Sequence, residues 1–194
     1  LTIALYKPRG VTCSIKDKGR LVYDLLPSRF RDRDPVLSTV GRLDRDSEGL
    51  LILTNDGDLS QKLMHPSKSV EKEYLVTANQ AFENIHLDQF LEGVYADGVK
   101  LKAKAIERLS PRRISVILDH GAKRQIRVMF DALGYQVTKL LRVRIGSLWL
   151  GELEAGRFAQ LNSKEVALLM VNPSEASKKA QTSPKNPEKR KRPH

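Results

Sequence analysis

Five charges fall within the nine residues Gly41-Arg42-Leu43-Asp44-Arg45-Asp46-Ser47-Glu48-Gly49, and the chain passes from them straight into Leu50-Leu51-Ile52-Leu53. An apolar run of strand length needs a core to cover it, while the charged segment needs water or oppositely charged partners. The fold must therefore present a polar loop from the end of a buried strand. Further apolar runs of strand length occur at residues 3–6, 74–76 and 114–118, and Asn55-Asp56-Gly57 and Ala96-Asp97-Gly98 read as turns whose residues tolerate positive φ. Helical spacing appears at Leu21/Leu25/Leu26, Leu59/Leu63/Met64, Ile126/Met129/Phe130/Leu133 and Val166/Leu169/Met170. The last of these is opened by Asn162 with Glu165 three residues on, the pattern of a capping box. Helices punctuate the strands without strict βαβ alternation, so the expected class is α+β with a mixed, mostly antiparallel sheet flanked by helices.

Three readings compete for the charged loop. Composition alone favours a solvated surface loop. A calcium loop would place Asp44, Asp46, Glu48 and Gly49 at positions 1, 3, 5 and 6 of the EF-hand pattern, but position 12 is then Asn55 where a bidentate Glu is required. It also leads into a strand where the second helix should start. The third is a reaction site, in which a carboxylate is kept ionised by neighbouring guanidinium groups and serves as a nucleophile.

The 194 residues include 34 Lys+Arg against 23 Asp+Glu, a formal charge of +11, with 40% hydrophobic residues and one cysteine. This suits a chain with a substantial core. It carries no apolar run near the roughly 20 residues of a bilayer span, and no secretory leader is expected. Cys13 lacks a partner for a disulfide, and His65, His86, His120 and His194 lack metal-ligand spacing, so no metal site is expected and a cytoplasmic setting fits. Residues 173–194 hold +5 of the +11, with four prolines and almost no apolar residue. They are expected to form a disordered basic tail behind a folded unit of residues 1–172, adding affinity for polyanions by counterion release.

Gly41-Arg42-Leu43-Asp44, followed by Ser47-Glu48-Gly49-Leu50-Leu51-Ile52-Leu53-Thr54-Asn55-Asp56-Gly57, closely resembles the signature of the RsuA/RluB/RluE/RluF group of pseudouridine synthases. Glu71-Lys72-Glu73-Tyr74-Leu75-Val76 looks like a second motif of that group. The stretch His120-Gly121-Ala122-Lys123-Arg124-Gln125-Ile126-Arg127-Val128-Met129-Phe130 looks like a third, with Leu141-Arg142-Val143-Arg144-Ile145-Gly146 resembling the strand that follows. Ser47 stands where Thr is commoner, with the hydroxyl kept. Many members carry an S4-type RNA-binding domain ahead of the catalytic one; none precedes Leu1, so the chain is similar to short members or to a trimmed longer chain.

The resemblance implies a cofactor-independent RNA uridine isomerase of pseudouridine synthase fold, acting on ribosomal RNA or, as an alternative, on tRNA, with no membrane partner and as a monomer. It implies Asp44 as nucleophile and Tyr74 as the aromatic that stacks on the extruded uracil, although by itself Tyr74 reads as a core tyrosine at a sheet edge. Arg124 and Arg127, three apart on one helix, read alone as solvated; the resemblance makes Arg127 the arginine that clamps Asp44, with Arg42 and Arg45 as substitutes. Arg42, Lys72, Lys123, Arg124, Arg142 and Arg144 are expected to contact phosphates. The runner-up function is a non-catalytic RNA-binding or ribosome-assembly factor on the same fold. A glycosidase acting on free nucleosides lacks a second carboxylate acid and leaves the basic charge unexplained.

Overall fold

The computed structural model describes residues 1–121 and 124–173. Its elements run β1 (Thr2–Lys7), a 3₁₀ turn (Val22–Leu25), α1 (Ser28–Arg31), β2 (Ser38–Val40), β3 (Glu48–Thr54) and α2 (Gly57–Met64). A second 3₁₀ turn (Pro66–Lys68) is followed by β4 (Lys72–Ala78), α3 (Asn84–Glu92), β5 (Val94–Ala96), β6 (Val99–Leu101), β7 (Ala105–Ser110) and β8 (Arg113–Leu118). The chain continues through α4 (Gln125–Ala132), β9 (Val137–Ile145), β10 (Leu148–Trp149), β11 (Phe158–Gln160) and α5 (Ser163–Leu168). The basic tail expected at the C-terminal end lies, from residue 174 onward, outside the described residues.

Among the described residues nine strands join one sheet along the path β11-β1-β3-β9-β4-β8-β7, with β2 also on β3 and β10 also on β9. Every pairing in it is antiparallel except that of β3 with β9, where Glu48 and Gly49 lie opposite Leu141 and Arg142. The architecture is therefore α+β with a mixed, mostly antiparallel sheet. The short parallel contact joins two packed halves. On one side Leu50 and Ile52 face Ala4 and Ile145 while Leu51 and Leu53 face Ile3, Leu5 and Phe30. Burial on both faces is why this strand reads as an unbroken apolar run. On the other side Val76, Ile114, Val116 and Leu140 pack with Phe90, Met129 and Phe130 from α3 and α4.

Gly49 fixes how closely the halves approach. Its φ is +111°, and a Cβ built there would lie 2.2 Å from the backbone oxygen of Arg142. Only a residue without a side chain lets the loop enter β3 at this point. One residue further along, β9 carries a bulge. Arg144 lies opposite Glu73, but Arg142 lies opposite Tyr74, with a register shift between them. Successive residues of β4 point to opposite faces, so the bulge turns Arg142 and Arg144 away from each other although they are two apart.

Some local expectations differ from what forms. The Leu21/Leu25/Leu26 spacing yields a single 3₁₀ turn, because Pro27 forces Leu26 into an extended conformation (φ −99°, ψ 140°) and closes the turn. Asp56 is not a hairpin turn residue but the N-cap of α2, its side chain accepting from the Leu59 amide at 3.1 Å. Met64 is 52% exposed, off the buried face of α2 that Leu59 and Leu63 define. The Asn162–Glu165 capping box does form at the start of α5, and Asp97 and Gly98 do turn the β5–β6 hairpin with positive φ.

Gly49→Ala should destabilise the protein by roughly 2–4 kcal/mol, since it combines a disfavoured backbone conformation with a backbone clash. Urea unfolding monitored by circular dichroism measures it; a loss under about 1 kcal/mol, the size of an ordinary exposed-glycine effect, would mean that β3 and β9 can separate without strain.

Candidate active site

The charged loop begins where β2 ends and is tied down from beneath. Leu43 is buried in the core, the Ser47 amide donates to the Asp44 carbonyl at 3.0 Å, and the Gly10 amide donates to the Arg45 carbonyl at 2.7 Å. Lys7, at the end of β1, is fully enclosed, and its ammonium donates to the carbonyls of Val11 (2.6 Å), Pro8 (2.9 Å) and Arg45 (3.4 Å). Burial pushes the Lys7 pKa down, opposed by the fields of Cys13, Glu48, Asp46 and Asp44. One buried cation thus fastens the strand end, the turn after it and the charged loop together.

With its backbone fixed, the loop presents two carboxylates to α4. Arg124 Nη1 lies 3.2 Å from Asp44 Oδ2 and 3.4 Å from Asp46 Oδ1. Arg124 is the N-cap of α4 and adopts a left-handed φ of 56°, which breaks the helical line and turns the residue toward the loop. Arg127, one turn on, places Nε 3.4 Å from Asp46 Oδ2, donates through Nη2 to the Asp46 carbonyl at 2.9 Å and through Nη1 to the Val137 carbonyl at 3.3 Å. The cation on Asp44 is therefore Arg124, and Arg127 braces the loop through Asp46 instead of clamping Asp44 itself. Arg124, expected to contact phosphates, stands beside Asp44 where the resemblance put Arg127, while Arg127 turns to Asp46. Burial raises the Asp46 pKa, but the hydrogen bond from Arg124 and the charges of Arg127 and Arg124 outweigh it and hold the carboxyl below its usual range.

Beside this pair opens a groove of about 1150 Å³ whose lining includes Asp44, Lys72, Tyr74, Arg42, Arg124 and Arg142. Lys72 and Tyr74 of β4 alternate with Glu71, just ahead of the strand, and Glu73. The pKa of Lys72 is lowered by burial and by the charge of Arg142, with Asp119 opposing. Arg142 is buried, donates through Nε to the Leu50 carbonyl at 2.8 Å, and keeps Nη2 enclosed without a hydrogen-bond partner among the described residues.

Arg144 departs from expectation. The bulge sends it to the opposite face, where its side chain is 2% exposed and pairs with Glu71 at 3.2 Å and Glu73 at 3.3 Å. A phosphate has no path to it; it supports β4 beneath Lys72 and Tyr74. Lys123 lies outside the described residues. Sequence reasoning also passed over Lys7 and Asp46 as parts of the site. The one signal for Lys7 was a lysine closing an apolar strand just ahead of a proline. His65 caps the second 3₁₀ turn, accepting from the Ser67 amide at 3.2 Å, and His86 Nδ1 lies 2.6 Å from the hydroxyl of buried Tyr135. Among the described residues no group of acids, histidines and cysteines could hold a metal ion, and no helix is long and apolar enough to cross a membrane.

The chain belongs to the RNA pseudouridylate synthase family, whose profile matches residues 2–132. It is 35% identical over 191 residues to the dual-specificity RNA pseudouridine synthase RluF of Salmonella typhi, covering 94% of this chain and 63% of that one. It is 36% identical over 169 residues to the ribosomal large subunit pseudouridine synthase B of Yersinia pestis, covering 84% of this chain and 52% of the relative. It thus spans more than half but less than two thirds of the length of these two relatives. A crystal structure of a pseudouridylate synthase superposes with a TM-score of 0.80 at 32% identity, covering 87% of this chain and 73% of that one.

The depressed pKa of Asp46 has a consequence in acid. Because the folded-state value lies below the unfolded one (about 3.9), the unfolded chain binds more protons, so the Asp46 contribution is present above that range and is lost as pH falls through the folded value. Asp46→Asn should lower stability at pH 7 and flatten its decline below about pH 4. Urea midpoints taken from pH 7 to pH 3 measure both; parallel curves for the two proteins would remove the carboxylate from this role.

Proposed function

We propose that this chain isomerises a uridine within an RNA chain to pseudouridine, in the cytoplasm and on ribosomal RNA. The observation that carries the proposal is the Asp44 carboxylate held by Arg124 at the edge of a cationic groove that also contains Tyr74. The names of the similar proteins, pseudouridine synthases in both cases, one of RNA and one of the ribosomal large subunit, support the reaction and the substrate.

The reaction breaks the N1–C1′ bond, turns the uracil and joins C5 to C1′; a proton leaves C5 and one is gained at N1, so nothing is consumed. Asp44 supplies the nucleophilic carboxylate, with Arg124 fixing its direction. The uridine must leave its stack to reach the carboxylate, and the ring of Tyr74 offers a replacement face worth about 1–3 kcal/mol. Arg42, Lys72 and Lys123 supply phosphate contacts, and the basic residues 173–194 add a sequence-independent attraction.

Asp44→Asn keeps shape while removing the nucleophilic charge. It should abolish pseudouridine formation on transcribed ribosomal RNA and leave RNA affinity within a few-fold of wild type. Turnover near the wild-type rate would overturn the reading. Arg124→Lys retains a charge, but one ammonium cannot reach Asp44 while also holding both oxygens of Asp46, as the two terminal nitrogens of the guanidinium do, so turnover at saturating RNA should fall at least about tenfold and by more than affinity. If Arg124→Lys turns over normally and Arg127→Lys does not, the arginine that positions Asp44 is Arg127.

A further inference from the structure

The groove continues beyond Asp44 and Tyr74 to a wall that the reaction does not use. That wall is the β5–β6 hairpin and the segment after it, a two-stranded unit apart from the main sheet. Val94 and Leu101 anchor it in the same hydrophobic cluster as Phe130 of α4. From residue 100 to residue 104 burial alternates: Leu101 and Ala103 are enclosed at 9% and 3% exposure, while Lys100, Lys102 and Lys104 are exposed. All three lysines line the groove that holds Asp44. Alternate residues of an extended strand lie about 6.6 Å apart, and Lys100 in β6 and Lys102 just past its end flank the enclosed Leu101, so these two present positive charge at an interval suited to successive phosphates.

The three lysines differ in what else they do. Lys104 is held by Glu71 at 2.7 Å. Among the described residues Lys100 and Lys102 form no ion pair, although each is within a groove rich in cations. Tyr95 is the cross-strand partner of Lys100, and the Lys100 ammonium lies 6.0 Å from its ring centroid. The ring is 72% exposed, an unusual position for a tyrosine that the core does not need.

We propose that this hairpin is a docking face for single-stranded RNA continuing out of the active-site groove, with Lys100 and Lys102 on consecutive phosphates and Tyr95 stacked on a base. Phosphate contacts by mobile lysines and a sequence-tolerant aromatic platform are the two elements by which proteins hold unpaired strands, and a duplex offers no free base face to Tyr95. The proposal rests on the RNA-modifying reading of the groove, but it can be tested apart from it.

The test is a salt titration of binding to a fluorescein-labelled 15-nucleotide oligouridylate, with the full chain and variants whose thermal unfolding matches wild type. For a single strand, each phosphate that a side chain no longer neutralises lowers the slope of log affinity against log salt by about 0.7. Lys100→Gln/Lys102→Gln should therefore flatten the slope by about 1.4, twice that amount, and Lys164→Gln, on α5 away from the groove, should leave it unchanged. Tyr95→Ala should weaken binding about tenfold with the slope retained. A double-variant slope equal to wild type, or an equal fall in Lys164→Gln, overturns the phosphate row, and unaltered affinity in Tyr95→Ala overturns the stacking. Pseudouridine formation by the wild-type protein is measured on transcribed ribosomal RNA in parallel. Turnover with unchanged slopes means that this face alone is wrong; flattened slopes without turnover mean that the hairpin binds RNA and the catalytic reading fails.

Discussion

A single enclosed ammonium holds the charged loop of this protein in place. Moving a charge out of water is costly unless its donors are all used, and Lys7 uses them on three carbonyls drawn from two separate stretches of chain. Two of those carbonyls shape the turn after β1, and the third belongs to the residue directly after Asp44. The carboxylate is therefore fixed through its backbone before any arginine reaches it. Arg124 then sets the direction of a group whose position is already determined, which is a smaller and more precise task than capturing a mobile loop.

The sheet has the same logic on its far side. A strand without irregularities would turn Arg142 and Arg144 to one face, crowding two guanidinium groups together. The bulge between them separates their tasks: Arg142 enters the groove and bonds the Leu50 carbonyl, while Arg144 closes against Glu71 and Glu73 and lies 5.5 Å from the Trp149 ring centroid. Glu71 also takes Lys104, so the support beneath Lys72 and Tyr74 extends to the base of the β5–β6 hairpin. The residues facing away from the groove floor are bonded to one another.

Much of this could be read from the sequence, and the parts that could not have identifiable causes. The unbroken apolar run after Gly49 marked a strand buried on both faces, and the motifs placed Asp44, Tyr74 and the arginines of α4 in one site. That Arg124 and not Arg127 stands beside Asp44 was hidden because helical spacing assumes helical φ at both, and Arg124 is left-handed. Arg142 and Arg144 looked alike because a bulge leaves no mark in a pattern of alternating residues. Lys7 was passed over because a lysine at a strand end ordinarily reaches water, and only the tertiary fold shows three carbonyls converging on it.

The short parallel contact between β3 and β9 also bears on how the protein comes into being. Asp44 precedes β3, Arg124 opens α4, and about eighty residues separate them. The strand that welds the two halves, β9, follows both. A chain emerging from the ribosome can pack β1, β2 and β3 early, yet the carboxylate and its guanidinium partner are not held against each other until β9 has slotted between β3 and β4. The pairing of Asp44 with Arg124 is in this sense a property of a chain that has been made through β9, and a fragment that stops short of it leaves the acidic loop without that cation.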